Sequence, residues 1–256
     1  MLQIVRTRLA FGRRTAALPA PGETPVPEGF RGLPRIEADR CPPECVRCSD
    51  ACPTAAIRPG DGEGPRVDLG RCLFCPECVG ACPRGAVTFT REHRLAATER
   101  QALVVGPGAV PPPLAPLPAD LRRIFGRSFK LRQVSAGGCN GCEGELNVTG
   151  TPGYDLGRFG IQFVASPRHA DALVVTGPVS RNMRLALEKT YAALPAPKLV
   201  IACGACAVSG GPFAGSSEAC DGVGELLPVD LWIPGCPPHP WTLVDGLLRV
   251  LGRIPG

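Results

Sequence analysis

Residues 137–145 read GGCNGCEGE and follow the apolar run FKLRQV at residues 129–134. The run predicts a short buried strand, and the glycine-rich stretch predicts the loop at its carboxyl end. Cys139 and Cys142 lie two residues apart in this loop. A site of four thiolates needs two more cysteines, which must come from elsewhere in the chain.

The rest of this half alternates predicted strands and helices. Three further apolar runs predict strands: ADALVVTG (170–177), KLVIAC (198–203) and PVDLWI (228–233). Helical spacing relates two sets of apolar residues, which are Met183, Leu187, Tyr191 and Leu194, and then Val244, Leu247, Leu248 and Leu251. The bounding residues are Ser180 and Pro195 for the first helix, and Pro240 and Gly252 for the second. This alternation predicts an α/β domain with a parallel sheet.

The cysteines of this half follow the predicted strands. Cys203 and Cys206 come after the third strand, and Cys236 comes after the fourth. Loops at the carboxyl ends of parallel strands meet at one edge of the sheet, which is where ligands bind. We therefore expect three loops that are distant in sequence to place cysteines around one site.

A second group of cysteines forms an internal duplication, in which CPPECVRCSDACP at residues 41–53 is followed by CLFCPECVGACP at residues 72–83. The second run has the spacing of bacterial ferredoxins, in which the fourth cysteine binds the other cluster. The first run has one extra residue in its first gap, which we interpret as a slightly larger loop at Pro42-Pro43. The predicted ligands are therefore crossed: Cys41, Cys45, Cys48 and Cys82 for cluster 1, and Cys72, Cys75, Cys78 and Cys52 for cluster 2.

Two zinc sites of four thiolates each are the alternative. Zinc ribbons usually show separated Cys-x2-Cys pairs rather than compact runs that end in Cys-Pro, so the spacing favours two 4Fe–4S clusters. Residues 39–90 resemble two-cluster ferredoxins, which implies an α+β ferredoxin-like dicluster domain. FRGLP at residues 30–34 resembles the start of the ferredoxin-like subunits of respiratory complex I and membrane-bound hydrogenases.

Composition excludes several classes. The chain has 256 residues, fourteen cysteines and a net charge of +5. It has no 18-residue apolar run and no secretory apolar core at its start, so we expect neither a transmembrane helix nor export. The cysteines then predict metal-bound thiolates rather than disulfides. No basic patch is interleaved with aromatic residues, so we expect no nucleic-acid partner.

Four segments are expected: a basic, proline-rich extension (1–38), the dicluster domain (39–90), a proline-rich linker (91–126) and the α/β domain (127–256). Leu2, Val5 and Leu9 have helical spacing among four arginines. The start of the chain is therefore interpreted as a short amphipathic helix on a membrane surface or a partner, with a frayed basic tail as the alternative.

Four ordered motifs carry a resemblance over residues 120–250: GRSFKLRQVSAGGCNGCEGELN, LVVTGPVSRNM, GACAVSGG and PVDLWIPGCPPHP. They resemble the small subunit of membrane-bound, energy-converting nickel–iron hydrogenases, a family homologous to the complex I subunit that bears the terminal cluster. The Cys-Asn-Gly-Cys pair is the hydrogenase form, because the complex I subunits have adjacent cysteines. The resemblance implies a flavodoxin-like domain and a proximal 4Fe–4S cluster held by Cys139, Cys142, Cys206 and Cys236.

Four further residues are interpreted individually. Cys203 and Cys220 are interpreted as small buried hydrophobic residues, with Cys203 in place of Cys206 as an alternative ligand. Glu145 matches an acidic position of the family and is predicted to pass protons, or else to accept hydrogen bonds from loop amides. His239 lies near a ligand loop and is predicted to tune the cluster through a hydrogen bond, or else to face solvent.

The resemblance implies an oxidoreductase subunit without catalytic residues of its own. It would be the electron-transfer subunit of a membrane-associated, formate hydrogenlyase-like nickel–iron hydrogenase of the group 4 type, with three 4Fe–4S clusters. Expected partners are a large subunit that holds the nickel–iron centre, membrane-embedded subunits, and a ferredoxin or formate dehydrogenase-type electron partner. The expected location is cytoplasmic and peripheral on the inner face of the cell membrane. The alternatives are a nickel-free, quinone-reducing complex I-like subunit and a free-standing electron carrier.

Overall fold

The computed structural model describes residues 2–12, 15–18, 26–42, 44–60 and 63–254. Pro43, part of the interpreted larger loop, lies outside the described residues, and so do parts of the predicted N-terminal extension. The chain begins with helix α1 (Leu2–Phe11), whose side chains are all exposed. The helix predicted at the start of the chain is therefore confirmed.

The N-terminal half contains two small antiparallel sheets. In the first, β1 (Pro34–Ile36) pairs with β4 (Val87–Phe89). The second has the order β2, β3, β5, with the bounds Ile57–Arg58, Arg66–Asp68 and Val104–Val105. Two short helices lie within the cysteine runs, α2 (Arg47–Asp50) and α3 (Glu77–Ala81). Because β1 pairs with β4, the end of the second cysteine run lies beside the start of the first.

The C-terminal half contains a parallel sheet, as predicted, but with five strands rather than the four that the sequence indicated. Its spatial order is β7 (Ile161–Phe163), β6 (Phe129–Ser135), β8 (Ala172–Thr176), β9 (Leu199–Cys203) and β10 (Leu231–Ile233). In chain order this is 2-1-3-4-5, the flavodoxin-like order, in which the strand order reverses between the first and third strands. Strand β7 was not predicted.

Five helices accompany this sheet: α4 (Ala119–Phe125), α5 (Gly141–Val148), α6 (Arg181–Ala193), α7 (Ala205–Ser209) and α8 (Pro240–Val250). Helix α6 follows Ser180 and ends before Pro195, as predicted, and Leu187 on its apolar face is fully buried. Successive residues of the central strand β8 belong to two different cores, Leu173 to one and Val174 to the other. The core that includes Leu173 also contains Leu69 and Leu103 of the N-terminal half. The two halves therefore share the core that contains Leu173.

Residues 91–126, the predicted linker, take part in both halves. Strand β5 lies within this segment and pairs with β3. Ala97 exchanges two backbone hydrogen bonds with Trp232 of β10, with N to O distances of 3.0 and 2.8 Å. The segment thus adds a bridge to the edge of the parallel sheet, and the four domain boundaries stay predictions.

Helix α8 has the predicted apolar spacing, but all eleven of its residues are buried. Its polar side carries an ion pair in which Arg249 Nε lies 2.8 Å from Asp245 Oδ2, with side chains 4% and 7% exposed. Arg249 Nη2 also lies 3.5 Å from the Ala96 carbonyl oxygen. Residues 92–97 therefore cover the side of α8 that its sequence would leave to solvent. None of the helices in the described residues is long and apolar enough to cross a membrane.

The same segment buries His93, whose side chain is 4% exposed. Burial lowers the pKa of His93 to about 4; Glu92 opposes this shift, and the charges of Arg94, His239 and Arg249 add to it. An unfolded histidine titrates near 6.5, so the folded chain binds fewer protons below that pH. The free energy of unfolding is therefore not reduced by His93 above about pH 6.5. Between about pH 6.5 and 4 it falls by about 1.4 kcal/mol for each pH unit, because the unfolded chain binds a proton at this histidine and the folded chain does not.

We expect the variant His93→Gln to lose this dependence. The free energy of unfolding would be measured for both proteins by anaerobic urea denaturation at about pH 7.5 and about pH 5.5. The wild type should lose more stability than the variant across this interval. Parallel losses in the two proteins would contradict the assignment of the pH dependence to His93.

Candidate metal centres

The cysteines predicted for cluster 1 line one cavity of about 230 Å³: Cys41, Cys45, Cys48 and Cys82. Burial, followed by the neighbouring thiolate of Cys41, raises the pKa of Cys48. Burial also disfavours ionisation of Cys82, but backbone amides outweigh it and lower the pKa of that thiol, with Ala86 N at 3.2 Å from its Sγ. Such N–H donors stabilise a thiolate, which is the form that binds iron.

The cysteines predicted for cluster 2 surround a second, smaller cavity of about 20 Å³: Cys52, Cys72, Cys75 and Cys78. Burial raises the pKa of Cys72 to about 12 and that of Cys78 to about 11. Backbone N–H groups nevertheless point at this set, with Ala56 N 3.2 Å from Cys52 Sγ and Phe74 N 3.3 Å from Cys72 Sγ. Buried thiols are deprotonated when they coordinate a metal, so this donor set fits an iron–sulfur cluster.

The structure therefore places each crossed set of cysteines around its own cavity. The duplication causes this arrangement, because the last cysteine of each run lies beside the first three cysteines of the other run. Within the described residues, no group of three or more His, Cys, Asp or Glu side chains is arranged to hold a single metal ion. The role of the eight cysteines as cluster ligands stays a prediction.

A third set lies at the carboxyl edge of the parallel sheet, as expected: Cys139, Cys142, Cys206 and Cys236. Burial raises the pKa of Cys206 to about 12, and the thiolates of the other three cysteines add to this shift. Cys142 and Cys206 are half-buried, whereas Cys139 and Cys236 are exposed. The four thiols are thus mutual neighbours, and the set is open on one side.

Glycines let the backbone approach these thiols closely. Gly204, between β9 and α7, has φ +88°, and a Cβ placed on it would lie 2.5 Å from Cys142 Sγ. A Cβ on Gly211 would lie 3.0 Å from Cys206 Sγ. The backbone is therefore shaped around the sulfur atoms, and side chains at these positions would displace them.

The motif LVVTGPVSRNM contains no cysteine, yet its loop supports the site. Ser180 N donates to the Ala136 carbonyl 3.0 Å away, and a Cβ on Gly177 would lie 2.5 Å from Gly138 N. The buried Val179 has φ +59°, which is unfavourable for a β-branched residue. The loop after β8 is therefore packed directly against the loop that carries Cys139.

Glu143 is a feature of the site that was not predicted. Its carboxylate is buried, and Oε1 accepts hydrogen bonds from Ser135 Oγ at 2.6 Å and Thr176 Oγ1 at 2.7 Å. These short distances are typical of hydroxyl groups that donate to a charged carboxylate. Burial acts to raise the pKa of Glu143, but the two hydroxyl groups outweigh it and lower the value. A fixed negative charge therefore lies at the ends of β6 and β8, next in sequence to Cys142.

Cys203 is fully buried, as predicted, but it also contacts the site. Its thiol interacts with that of Cys142, which lowers the pKa of Cys142 and raises that of Cys203 well above its usual value. The signal in the sequence was its position at a strand end, one residue before the glycine that approaches Cys142.

Glu145 and His239 line a further cavity, which Cys236 also lines and which likewise measures about 230 Å³. Burial raises the pKa of Glu145 and lowers that of His239. Rather than facing solvent, His239 is half-buried: its Nδ1 accepts from Trp241 N at 3.2 Å, and its ring lies edge-on to Phe30 at 5.1 Å. It therefore caps helix α8, and its predicted role in tuning a cluster stays a prediction, as does proton transfer by Glu145.

The three sets follow one another in space. Cys236 of the third set interacts electrostatically with Cys75 of the second, and Cys78 of the second interacts with Cys48 of the first. Leu73 and Phe74, from the second run, line the same cavity as Cys236. The order is therefore third set, second set, first set.

Comparisons with known proteins concern the C-terminal half. The family described as NADH ubiquinone oxidoreductase, 20 Kd subunit, matches residues 139–250. The chain is 41% identical over 136 residues to the probable membrane-bound hydrogenase subunit mbhJ of Pyrococcus furiosus, covering 53% of this chain and 81% of that protein. It is 42% identical over 148 residues to formate hydrogenlyase subunit 7 of Escherichia coli, covering 58% of each.

Relatives from quinone-reducing complexes are similar to a comparable degree. An NADH-quinone oxidoreductase subunit of Heliobacterium modesticaldum is 42% identical over 114 residues, covering 44% of this chain and 65% of that protein. Among solved structures, a chain of the membrane-bound sulfane sulfur reductase, an archaeal respiratory membrane complex, matches with a TM-score of 0.46 and 32% identity, covering 52% of this chain and 73% of that chain.

The predicted resemblance is therefore confirmed for the part of the chain that carries the third cysteine set. The relatives are subunits of hydrogenase and complex I-like oxidoreductases, and the two groups match this chain about equally well. This protein belongs to the NADH ubiquinone oxidoreductase 20 kDa subunit family.

Proposed function

We propose that this chain is the iron–sulfur electron-relay subunit of a membrane-associated, formate hydrogenlyase-like nickel–iron hydrogenase. The observation that carries the proposal is the succession of three four-cysteine sets in space: Cys236 shares a cavity with Leu73 and Phe74 of the second run and lies within electrostatic range of Cys75, and Cys78 lies within electrostatic range of Cys48. A 4Fe–4S cluster bound in each set would supply one-electron oxidation and reduction. The chain itself holds the thiolates, donates backbone N–H groups to them, and buries Cys72 and Cys78 of the second set.

The openness of the third set supports a large-subunit partner. Cys139 and Cys236 are exposed, whereas Cys72 and Cys78 of the second set are buried. A partner that covers this edge of the sheet would place its own nickel–iron centre beside the third set. This need for a cover favours a complex over a free-standing electron carrier.

A ferredoxin or a formate dehydrogenase-type partner would exchange electrons with the cysteine sets of the N-terminal half. We place the assembled complex on the cytoplasmic, inner face of the cell membrane, with membrane-embedded subunits as further partners. The similarity to membrane-bound hydrogenase and formate hydrogenlyase subunits supports this location.

A second candidate is the equivalent subunit of a nickel-free, quinone-reducing complex. The similarity to the NADH-quinone oxidoreductase subunit of Heliobacterium modesticaldum favours it. The spacing of Cys139 and Cys142 favours the hydrogenase, because the two cysteines are separated by two residues rather than adjacent. The metal content of the complex distinguishes the two.

Metal analysis of the native complex, purified anaerobically, tests the proposal. We expect about twelve irons per chain beyond those of its partners, from three 4Fe–4S clusters, and stoichiometric nickel in a large partner. The same iron with a large partner but no nickel would establish the second candidate. An iron content far below about twelve would contradict the three-cluster relay.

Ligand variants sharpen this test. Cys236→Ser should lower the iron content by about four per chain, because one of four thiolates of the third set is lost. Cys220→Ser is the matched control, since Cys220 is half-buried and outside all three sets. It should keep the iron content of the wild type. Equal iron in the two variants would contradict the assignment of Cys236.

A further inference from the structure

A cavity of about 410 Å³ opens on the sheet formed by β2, β3 and β5. Among the residues that the structure describes, four arginines line it, together with one acidic residue, Asp68. The arginines are Arg58, Arg66, Arg71 and Arg100. Arg58 and Arg66 are exposed, while Arg71 and Arg100 are half-buried. The cavity is thus open to solvent and strongly basic.

The acidic residue does not neutralise this surplus of positive charge. Asp68 accepts two hydrogen bonds from Arg100, at 2.8 and 2.7 Å, and one from Gly70 N at 2.9 Å. Glu63 lies 3.4 Å from Arg66, but both side chains are largely exposed, and such pairs contribute little. The positive charges of Arg58 and Arg71 are therefore not balanced by these carboxylates, and they remain available to a ligand in the cavity.

The arrangement is unfavourable for the sheet itself. Arg58 of β2 and Arg66 of β3 are directly opposed in the antiparallel register, and both line the cavity. Like charges directly opposite one another destabilise a sheet. Stability does not account for this pair, whereas an anionic partner would relieve its repulsion.

The wall of the cavity is also the wall of the second cysteine set. Ala56 lines the cavity, and its N–H lies 3.2 Å from Cys52 Sγ. The carbonyl of Arg71 accepts from Thr54 Oγ1 at 2.8 Å, and that hydroxyl lies 3.8 Å from Cys52 Sγ. A single residue therefore separates a ligand in this cavity from a predicted cluster ligand.

We propose that this arginine cavity is the docking surface for an acidic electron-carrier protein, and that electrons pass between the carrier and the second cysteine set at Cys52. The proposal rests on the relay function proposed above. Guanidinium groups match carboxylates in shape as well as charge, so a carboxylate-rich surface of the carrier fits the cavity. One electron leaves the reduced carrier and one reduces the cluster, with no bond or proton exchanged.

The test uses the native complex and its double variant Arg58→Glu/Arg66→Glu. The probe is an acidic two-cluster ferredoxin, reduced beforehand, and stopped-flow absorbance gives the second-order rate constant at low and high salt. We expect the variant to be slower by about tenfold or more at low salt, with a weaker salt dependence, because electrostatic steering is lost. The iron content should be unchanged, and reduction by the methyl viologen radical cation should not be slowed, because a cation is not steered by the arginines.

The matched control is Arg123→Glu/Arg168→Glu, which changes the net charge equally at exposed arginines of the C-terminal half. The same loss in both double variants, or the wild-type rate in the cavity variant, would overturn the proposal. Wild-type ferredoxin rates combined with lost binding of inorganic phosphate would identify a small-anion site instead, and would also overturn it. If charge reversal lowers the iron content, Arg58→Gln/Arg66→Gln is measured by the same criterion.

These outcomes are separable from failure of the relay itself. A wild-type complex that contains about twelve irons per chain and accepts electrons from methyl viologen, but not from the ferredoxin, would overturn the docking surface and leave the relay standing. An iron content far below about twelve would instead refute the three-cluster relay.

Discussion

The variant Gly204→Ala is expected to lose the third cluster and keep the other two, so that iron falls from about twelve to about eight per chain. Gly204 has φ +88°, a conformation that residues with a Cβ rarely adopt. The added Cβ would lie 2.5 Å from Cys142 Sγ, far inside contact distance. The neighbouring Cys203 and Ala205 are buried, so neither the strand nor the helix beside the glycine has room to move.

Gly144→Ala is the matched control for this substitution. Gly144 lies in helix α5, and a Cβ placed there would meet nothing within 4 Å beyond its chain neighbours and the backbone of its own helix. This variant should keep the wild-type iron content, and alanine should stabilise the helix by about 0.5–1 kcal/mol relative to glycine. Iron analysis and electron paramagnetic resonance of the reduced proteins provide the comparison. Full iron content in Gly204→Ala would contradict the close packing at Cys142.

The variant Asp245→Asn is expected to lower the free energy of unfolding by about 3–5 kcal/mol, because it leaves a buried charge without its partner. Arg249 is 4% exposed, and its Nε lies 2.8 Å from Asp245 Oδ2. Burial raises the pKa of Asp245, while the charge of Arg249 opposes this shift. The asparagine keeps the shape of the side chain, so the loss reports the missing charge rather than a cavity.

Glu188→Gln provides the control on helix α6. Glu188 Oε1 lies 2.9 Å from Arg184 Nε, almost the same distance as in the buried pair, but the two side chains are 41% and 56% exposed. Exposed pairs contribute little to stability, so this variant should have nearly the same free energy of unfolding as the wild type. Anaerobic urea denaturation measures both variants. Equal behaviour of Asp245→Asn and Glu188→Gln would show that burial does not decide the contribution of the pair.

The parts of the fold that the sequence predicted are those that form continuous apolar runs. Strands β8, β9 and β10 lie within the predicted segments, β6 extends one residue beyond its segment to Ser135, and β8 and β9 are buried at every residue. Strand β7 was missed because it has only three residues, two of them exposed, and so it gives no pattern. Helix α8 was predicted, but its complete burial was not, because Asp245 and Arg249 look like a solvent face until residues 92–97 cover them.

The candidate site divides in the same way. The convergence of Cys139, Cys206 and Cys236 follows from their positions at the ends of parallel strands, which the sequence reveals. The contacts of Glu143 and Gly204 were not predicted, because they join elements that are far apart in the chain. Glu143, for example, is bound by hydroxyl groups 8 and 33 residues away. Spacing reveals which residues share a loop, but a hydrogen bond between two strands depends on the register of the sheet.

The bridge between Ala97 and Trp232 also bears on association between molecules. Strand β10 is the edge of the parallel sheet, and an uncovered edge offers N–H and C=O groups to any other strand. Ala97 occupies these groups at Trp232, with both hydrogen bonds of the pair. A C-terminal half produced without residues 91–126 would expose this edge, and its copies would be able to pair there. The segment that connects the two halves thereby also protects the sheet against aggregation.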